Sequence, residues 1–224
     1  MVRSGKTDGF IVLFSRQQDS IIDYLCEEGI LYVLIGKAGQ FSSQTIYIDN
    51  DNIMAAKEAT EYLINLGHTN IGFIGSDYNL IYSKDRKNGY QLALVQHDMA
   101  LKNEYCIELP SFSKNVTEPI LHLLNLPDPP TALVVSDDIL AIAVRQVCLQ
   151  QGLRIPNDIS IISFNNSLLS RLSSPQLTSI DVNSYQLGIE AASQIINHIE
   201  NPNLLATKII VPHSLVERES CKRI

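Results

Sequence analysis

Several polar residues follow apolar runs of the sequence and could together bind a small ligand. They are Tyr82 and Arg86 in the segment YSKDR, Asp137 and Asp138 after ALVV, and Asn165 and Asn166 after ISIISF. A carboxylate accepts hydrogen bonds, a guanidinium donates them in a fixed fork, and an amide does both. This set of groups suits a neutral ligand that is rich in hydroxyl groups.

Each of these residues also has a structural reading. One of Asp137 and Asp138 can serve only as the N-cap of the helix that follows. Arg86 can be a solvated surface residue, and Asn165 and Asn166 can be turn residues, since asparagine tolerates left-handed backbone. Taken singly, the structural reading is favoured for each residue. Their placement after successive strands favours binding.

The elements that must position these residues alternate between strand and helix. Six runs predict strands, and they are Phe10–Phe14, Tyr32–Ile35, Ile46–Ile48, Ile71–Ile74, Ala132–Val135 and Ile159–Phe164. Most are apolar throughout, which is typical of parallel strands covered on both faces. Helical patterns lie between them, at Asp51–Leu66, from about Lys84 to His97, at Asp138–Gln151 and after Asn183. The alternation predicts an α/β fold whose ligands bind at the carboxyl ends of the strands.

The segment around Arg86 breaks a local rule. Ser83 is the expected N-cap of its helix, so Arg86 would lie in the first turn with Lys84 and Lys87. The start of a helix carries partial positive charge and favours Asp or Glu there. Broken local rules tend to mark strain or function, which supports a binding role for Arg86.

Composition excludes several classes of protein. The 224 residues carry a formal net charge of −7 with scattered basic residues, unlike a nucleic-acid-binding surface. No apolar run reaches the ~18–20 residues of a membrane span, and the N-terminal sequence does not resemble a signal peptide. The four cysteines form no CxxC pair, which indicates reduced thiols in a cytoplasmic protein. We therefore expect no metal site and no cofactor.

Longer motifs resemble those of the lactose/galactose repressor (LacI/GalR) family. They run in order along nearly the whole chain, as YLINLGHTNIGFIG from Tyr62, SKDRKNGY from Ser83, PTALVVSDDILAIA from Pro130, GLRIPNDISIISFNN from Gly152, SPQLTSIDVNSYQLG from Ser174 and IIVPHSLVERES from Ile209. Within the family, IGKAGQ, IDNDN and SFNN are most similar to maltose-operon repressors of Gram-positive bacteria. The resemblance implies a type I periplasmic-binding-protein-like fold, with two parallel-sheet lobes joined by three crossovers.

The resemblance also implies roles for the candidate residues. Arg86 matches the arginine of S-x-x-R-x-x-G-Y that grips the effector. Asp137 matches a ligand-contacting position, and Asp138 matches the family aspartate after it. Tyr185 matches a bulky residue that lines the pocket, and Tyr82 opens the same segment as Arg86. Asn165 stands where the family usually has aspartate, so the hydrogen-bond pattern of the effector is expected to differ from the family norm.

From the resemblance we expect the first lobe to hold residues 1–68 and 182–207, and the second to hold 69–181 and 208–218. The family's helix-turn-helix head and part of the first lobe are not visible in the sequence. Such a chain is expected to be marginally stable and to bind no operator by itself. The family implies a cytoplasmic homodimer in which a sugar, maltose or a related saccharide, alters operator binding through lobe closure.

Two other classes compete with this interpretation. A solute-binding receptor of a transporter would have the same fold, and the absence of an export signal argues against it. A sugar-modifying α/β enzyme would use Asp137 or Asp138 as a base. Neither carboxylate has a nucleophile, metal set or cofactor loop beside it in the sequence, and no GxGxxG, GxxxxGK[ST], HExxH or GxSxG motif occurs.

Overall fold

The computed structural model describes residues 7–41, 43–109 and 116–224. In chain order its strands are β1 Phe10–Val12, β2 Tyr32–Ile35, β3 Ile46–Asp49, β4 Ile71–Gly75, β5 Cys106–Glu108, β6 Ala132–Val135, β7 Ser160–Phe164, β8 Thr178–Asp181, β9 Lys208–Ile210 and β10 Ser214–Val216. Its α-helices are α1 Ser20–Glu27, α2 Asn52–Asn65, α3 Ile81–Gln96, α4 Thr117–Leu124, α5 Asp138–Gln150, α6 Leu168–Leu172 and α7 Ser184–Glu200. The six predicted strands are confirmed, as β1–β4, β6 and β7.

The chain forms two compact units. Unit 1 comprises the residues up to Asp51, Asn79–Tyr82 and Asn183–Pro212, and unit 2 comprises Asn52–Tyr78, Ser83–Val182 and His213–Ile224. Unit 1 contains a parallel sheet in the order β1-β2-β3-β9. Ile22 and Leu25 of α1 pack on Tyr32 and Leu34 of β2, and α7 also packs on this sheet.

Unit 2 contains a six-stranded sheet in the order β10-β8-β7-β6-β4-β5. All neighbours are parallel except β10, which pairs with β8 in the antiparallel sense. Strands β4, β6 and β7 are buried along their whole length, because helices cover the sheet on both faces. One face packs against α4 and α5, and the other packs against α2 and α3.

The structure divides the chain at different points from those predicted. Helix α2 was placed in the first lobe, but Ala55, Ala56, Ala59 and Leu63 pack in the core of unit 2. Strand β9 was placed in the second lobe, but it pairs with β3 in the sheet of unit 1. The chain passes between units after Asp51, after Val182 and after Pro212, and residues 79–82 belong to unit 1. The predicted crossings near 68 and 207 are therefore wrong, because side-chain packing decides the membership of α2 and strand pairing decides that of β9.

The start of α3 also differs from the prediction. The helix begins at Ile81, so Ser83 lies inside it and is not its N-cap. Ser83 is fully buried, and its hydroxyl donates to the backbone oxygen of Ser76 at 3.4 Å. Arg86 consequently lies in the second turn, where the partial charge of the helix start is weaker.

A buried histidine joins four segments of unit 2. His68 Nδ1 lies 2.9 Å from the hydroxyl of Thr131, and Nε2 lies 3.1 Å from the hydroxyl of Ser160 and 3.2 Å from the backbone oxygen of Lys222. Burial lowers the pKa of His68 below its ordinary value. Burial thus disfavours the charged form of the His68 ring.

His68 should make the stability of unit 2 depend on pH. Because its pKa is lowered in the folded state, the unfolded chain binds the proton first, and stability falls as pH drops below about 6.5. Above that pH the ring is neutral in both states and has no effect. Urea unfolding at about pH 7 and about pH 5.5 should show a smaller pH dependence for His68→Gln than for the wild type. His122→Gln, at an exposed position of α4, is the control and should retain the wild-type dependence.

Candidate functional site

The candidate site lies in unit 2 at the carboxyl ends of β4, β6 and β7. Strands β4 and β6 are neighbours, but the chain continues from β4 to β5 on one side and from β6 to β7 on the other. Such a reversal of direction leaves a crevice at the carboxyl ends, where α/β sheets bind ligands. Helix α3, which carries Arg86, follows β4, and Asp137 follows β6, so the predicted residues flank this crevice.

Arg86 is held from three directions inside unit 2. Its Nε donates to Oδ1 of Asn52 at 2.9 Å, and its Nη1 donates to the backbone oxygen of Ser136 at 2.5 Å. The guanidinium carbon lies 4.4 Å from the centre of the Phe164 ring, a cation–π contact. The side chain is only 4% exposed, so the surface reading of this residue is wrong.

The two aspartates after β6 differ in their surroundings. Asp137 is the half-buried N-cap of α5, and its Oδ1 accepts from the backbone N–H of Leu140 at 2.8 Å. Among the described residues, its Oδ2 has a single contact, at 3.5 Å from the hydroxyl of Ser136. The N-cap reading is therefore confirmed for Asp137, and one oxygen is left with a weak contact that a ligand hydroxyl could replace.

Asp138 is turned into unit 2 and is 1% exposed. Its Oδ1 accepts from the hydroxyls of Ser163 and Ser179 at 2.5 and 3.1 Å, and its Oδ2 accepts from the backbone N–H of Ser167 at 2.7 Å. These three donors satisfy an ionised carboxylate within the protein. Asp138 therefore connects β7 and β8 to the start of α6, and its contact with a ligand remains a prediction.

Asn165 and Asn166 both have left-handed backbone, with φ values of 94° and 46°. Asn166 is fixed by its neighbours, since its Nδ2 donates to Asp181 at 2.9 Å and its Oδ1 accepts from Arg218 at 2.5 Å. The backbone N–H of Asn165 donates to the carbonyl of Ile180 at 2.8 Å. None of the described residues hydrogen-bonds its half-buried side-chain amide, so a donor and an acceptor remain for a ligand.

The structure therefore brings together three of the six predicted residues. Arg86 contacts Ser136, which precedes Asp137, and Phe164, which precedes Asn165. The three side chains offer a cation, a carboxylate oxygen and an amide at one edge of one sheet. Tyr82 and Tyr185 belong to unit 1, where Tyr185 is 79% exposed near the start of α7. Their part in the site remains a prediction that rests on the family resemblance.

Sequence reasoning did not identify the residues that hold Arg86. Asn52 is more than thirty residues away in sequence, and Ser136 contributes a backbone carbonyl that any residue type would provide. Phe164 was assigned only to the strand core. The signal that could have found Asn52 is its polar side chain at the start of an otherwise well-packed helix.

A separate cavity of about 540 Å³ lies in unit 1, at the amino ends of β2 and β3. Leu25, Cys26, Tyr32, Ile46 and His198 are among its lining residues, and none of the six predicted site residues is. The hydroxyl of Tyr32 lies 3.1 Å from the Cys26 sulfur and 2.8 Å from the hydroxyl of Thr45, and burial raises the pKa of Tyr32 to about 12. The cavity lies at the opposite ends of strands from those at which α/β sheets bind ligands.

Two kinds of feature are absent from the described residues. These residues contain no group of three or more His, Cys, Asp or Glu side chains that could hold a metal ion. Among the same residues, no helix has both the length and the apolar character needed to cross a membrane.

The sequence and the fold are similar to those of known proteins. Residues 60–221 match the periplasmic binding protein-like domain. The crystal structure of a putative LacI transcriptional regulator from Bacillus cereus subsp. cytotoxis superposes with a TM-score of 0.92 at 42% identity, covering 97% of this chain and 77% of that one. The chain belongs to the LacI/GalR family of transcriptional regulators, and its fold is that of the family's effector-binding domain.

Two staphylococcal relatives share the name MalR. The transcriptional regulator MalR of Staphylococcus xylosus is 34% identical over 224 residues, which are all of this chain and 65% of that protein. A probable maltose operon transcriptional repressor from Staphylococcus aureus is 30% identical with a TM-score of 0.87, covering 98% of this chain and 78% of that structure. The chain thus spans just under two thirds of the length of the curated MalR relative.

Proposed function

We propose that this chain is the effector-binding core of a sugar-responsive transcriptional repressor, and that its effector is maltose or a closely related saccharide. The observation that carries the proposal is the buried guanidinium of Arg86, fixed at the switch point of the sheet in unit 2 against Ser136 and Phe164, which directly precede Asp137 and Asn165. Hydroxyl groups of a sugar are both donors and acceptors, and this set of side chains offers both. The staphylococcal relatives support maltose among the saccharides.

The binding step is a matter of hydrogen bonding without chemical change. Arg86 donates to sugar hydroxyl oxygens, the weakly bonded Oδ2 of Asp137 accepts from sugar hydroxyl protons, and the amide of Asn165 does both. Tyr185, which is exposed, is proposed to cover a sugar face, and Tyr82 is proposed to contribute from the segment before Arg86. Asp138 acts through the loop that it holds, by fixing the ends of β7 and β8.

Regulation follows from the thermodynamic linkage between saccharide binding and operator binding. A saccharide shifts a conformational equilibrium only by its difference in affinity for the two states, and operator binding shifts it reciprocally. In this proposal the operator DNA is bound by a helix-turn-helix domain of the type named in the relatives, and the regulator acts in the cytoplasm, where the DNA is. The same fold serves in solute receptors, but the relatives that match this chain are regulators.

Calorimetry with a panel of saccharides tests the proposal. Maltose, maltotriose, cellobiose, glucose and ribose would be titrated into the full chain, and maltose or maltotriose should bind most tightly. The sugar recovered after prolonged incubation should be unchanged, as expected for an effector. Turnover of the sugar that is lost in Asp137→Asn would support the enzyme alternative, and binding of none of the five would refute the proposed saccharide class.

We also propose that the regulator is a homodimer and that α5 and α6 of unit 2 contribute to the interface. These helices pack on each other and expose an apolar surface made of Ile139, Leu168, Leu169 and Leu172. Ile139 is 74% exposed and Leu172 is 72% exposed, which is unusual for large apolar side chains on two helices that pack together. A second copy is the occupant that the family resemblance implies.

Leu172→Glu should therefore convert a dimer to a monomer. Each buried leucine contributes roughly 1.5–3 kcal/mol, and burying a carboxylate costs more, so dimer dissociation should become at least about 100-fold more favourable. Sedimentation velocity over a range of protein concentrations measures this change. Leu205→Glu is the control, because Leu205 is 87% exposed in unit 1, and it should leave the mass unchanged. A monomeric wild type, or a Leu172→Glu variant that remains a dimer, would contradict the proposed interface.

A further inference from the structure

We propose that Asn52 is a positioning residue for the effector, acting through Arg86, and this inference rests on the proposed function of Arg86. Asn52 is the first residue of α2 and the first residue of unit 2 after the chain leaves unit 1. Its Oδ1 accepts from Nε of Arg86 at 2.9 Å, and both side chains are 4% exposed. A charge-assisted hydrogen bond between two buried side chains is stronger than a neutral one.

The contacts of Arg86 fix the plane of its guanidinium. The group is rigid and planar, so hydrogen bonds from two of its nitrogens, to Asn52 and to the Ser136 carbonyl, determine its orientation. The ring of Phe164 supports one face at 4.4 Å. The acceptor that Asn52 provides belongs to a side chain, so substitution can remove it without moving the backbone, whereas the Ser136 acceptor is a backbone carbonyl.

Asn52 also connects Arg86 to the segment through which the chain enters unit 2. Directly before it, within unit 1, the carbonyl of Asp49 accepts from the N–H of Val211 at 2.8 Å, and Nδ2 of Asn50 donates to the carbonyl of Val211 at 2.8 Å. The first and last passages between the units, after Asp51 and after Pro212, are thus tied together close to where they leave unit 1. A saccharide that binds Arg86 therefore acts on Asn52 through the hydrogen bond between the two side chains. Asn52 lies in the first of these passages.

A purely structural role for Asn52 would give a different result. If Asn52 only stabilised the start of α2, its replacement would lower stability and would affect ligand binding equally whether residue 86 were arginine or lysine. If it positions Arg86, its effect on binding should require Nε, which lysine lacks. The two roles can therefore be separated by combining substitutions at positions 52 and 86.

The first test needs no ligand. The ¹⁵Nε–H resonance of Arg86, assigned by its disappearance in Arg86→Lys, should exchange slowly with solvent in the full chain. Asn52→Asp keeps an acceptor oxygen and should retain this protection, whereas Asn52→Ala and Asn52→Leu should lose it. Retention of the protected resonance in a variant without an acceptor would overturn the inference. Its absence in the wild type would also overturn it, and this outcome does not depend on whether the Asn52 variants fold.

The second test measures maltose affinity in the same variants. Asn52→Ala should weaken binding about tenfold with Arg86 present and less than about twofold in an Arg86→Lys background, and Asn52→Asp should stay within about threefold of the wild type. Equal losses in both backgrounds, or an Asp variant as weak as the Ala variant, would overturn the positioning role. If no saccharide of the panel binds, the proposed function fails, and the Nε resonance still decides whether Asn52 fixes Arg86.

Discussion

Arg86→Ala is expected to weaken saccharide binding roughly ten- to 150-fold. A hydrogen bond to a charged group contributes roughly 1.5–3 kcal/mol, and about 1.4 kcal/mol corresponds to a factor of ten in affinity. The substitution also leaves Oδ1 of Asn52 and the carbonyl of Ser136 without their donor, and it removes the cation from the Phe164 ring. Calorimetry with maltose measures the loss, and thermal unfolding of the same samples shows whether unit 2 remains folded.

A lysine on the same helix provides the matched control for this experiment. Lys84 is exposed, two residues before Arg86, so Lys84→Ala removes a cation from α3 without touching the site. It should bind maltose within about twofold of the wild type, because exposed charges contribute little. An Arg86→Ala variant that is folded and binds as tightly as Lys84→Ala would show that the guanidinium is structural, and the proposed site would have to be abandoned.

The position of the site could be predicted from the sequence because the rule on which it depends is geometric. Apolar runs without polar alternation indicate parallel strands, and the carboxyl ends of parallel strands lie at one edge of a sheet. Residues that directly follow such runs must therefore lie near one another, as Asp137 and Asn165 do. Arg86 follows β4 after a loop. Its side chain is long and reaches the same edge, where it contacts the carbonyl of Ser136 and the ring of Phe164.

The detailed roles within the site could not be predicted, because neighbouring residues of the same type diverge in the fold. Asp137 and Asp138 are adjacent carboxylates, yet one has an oxygen near the surface and the other is enclosed by three serines. Which of the two carboxylates points into unit 2 depends on where α5 begins relative to β7 and β8, and tertiary packing determines that position. Asn52 was missed for the same reason, since its partner is distant in sequence.

The division into units shows a second limit of sequence patterns. The apolar face of α2 predicts correctly that the segment is a helix, but a helical period does not identify the sheet on which the helix packs. Ala55, Ala56 and Ala59 are small, and small side chains allow a close approach to a neighbouring element. In the structure that neighbour is α3 of unit 2, which places α2 in a different unit from the strand directly before it.

The motif S-x-x-R-x-x-G-Y acquires a physical explanation from these contacts. Ser83, Arg86 and Gly89 are spaced three residues apart, and Tyr90 follows Gly89, so the four positions lie near one face of α3. Ser83 donates to the Ser76 carbonyl, and Tyr90 donates to the carbonyl of Ile71 at 2.8 Å. Ser83, Gly89 and Tyr90 thus hold α3 against β4 and α2, and Arg86 is the member of the motif that is proposed to bind the ligand.

Gly89→Ala is expected to destabilise unit 2 more than any other single-methyl change proposed for this chain. A Cβ at position 89 would lie 2.1 Å from the backbone oxygen of Ile53 and 2.9 Å from Cβ of Ala56, so α2 and α3 would have to separate. Overpacking of this kind costs about 3 kcal/mol, which exceeds the roughly 1 kcal/mol by which alanine favours a helix over glycine. The net loss of about 2 kcal/mol should lower the thermal unfolding temperature by roughly 4–8 °C relative to the wild type.

Gly188→Ala is the control for this prediction, and it should change stability in the opposite direction. Gly188 lies in α7, and a Cβ at position 188 would meet no heavy atom within 4 Å. The expected effect of Gly188→Ala is therefore the higher helix propensity of alanine alone, which should raise the free energy of unfolding by roughly 0.5–1 kcal/mol. The same substitution in two helices thus isolates the effect of the contact, because backbone entropy changes equally in both. If Gly89→Ala were as stable as Gly188→Ala, the close approach of α2 and α3 would be wrong, and with it the position of Asn52 beside Arg86.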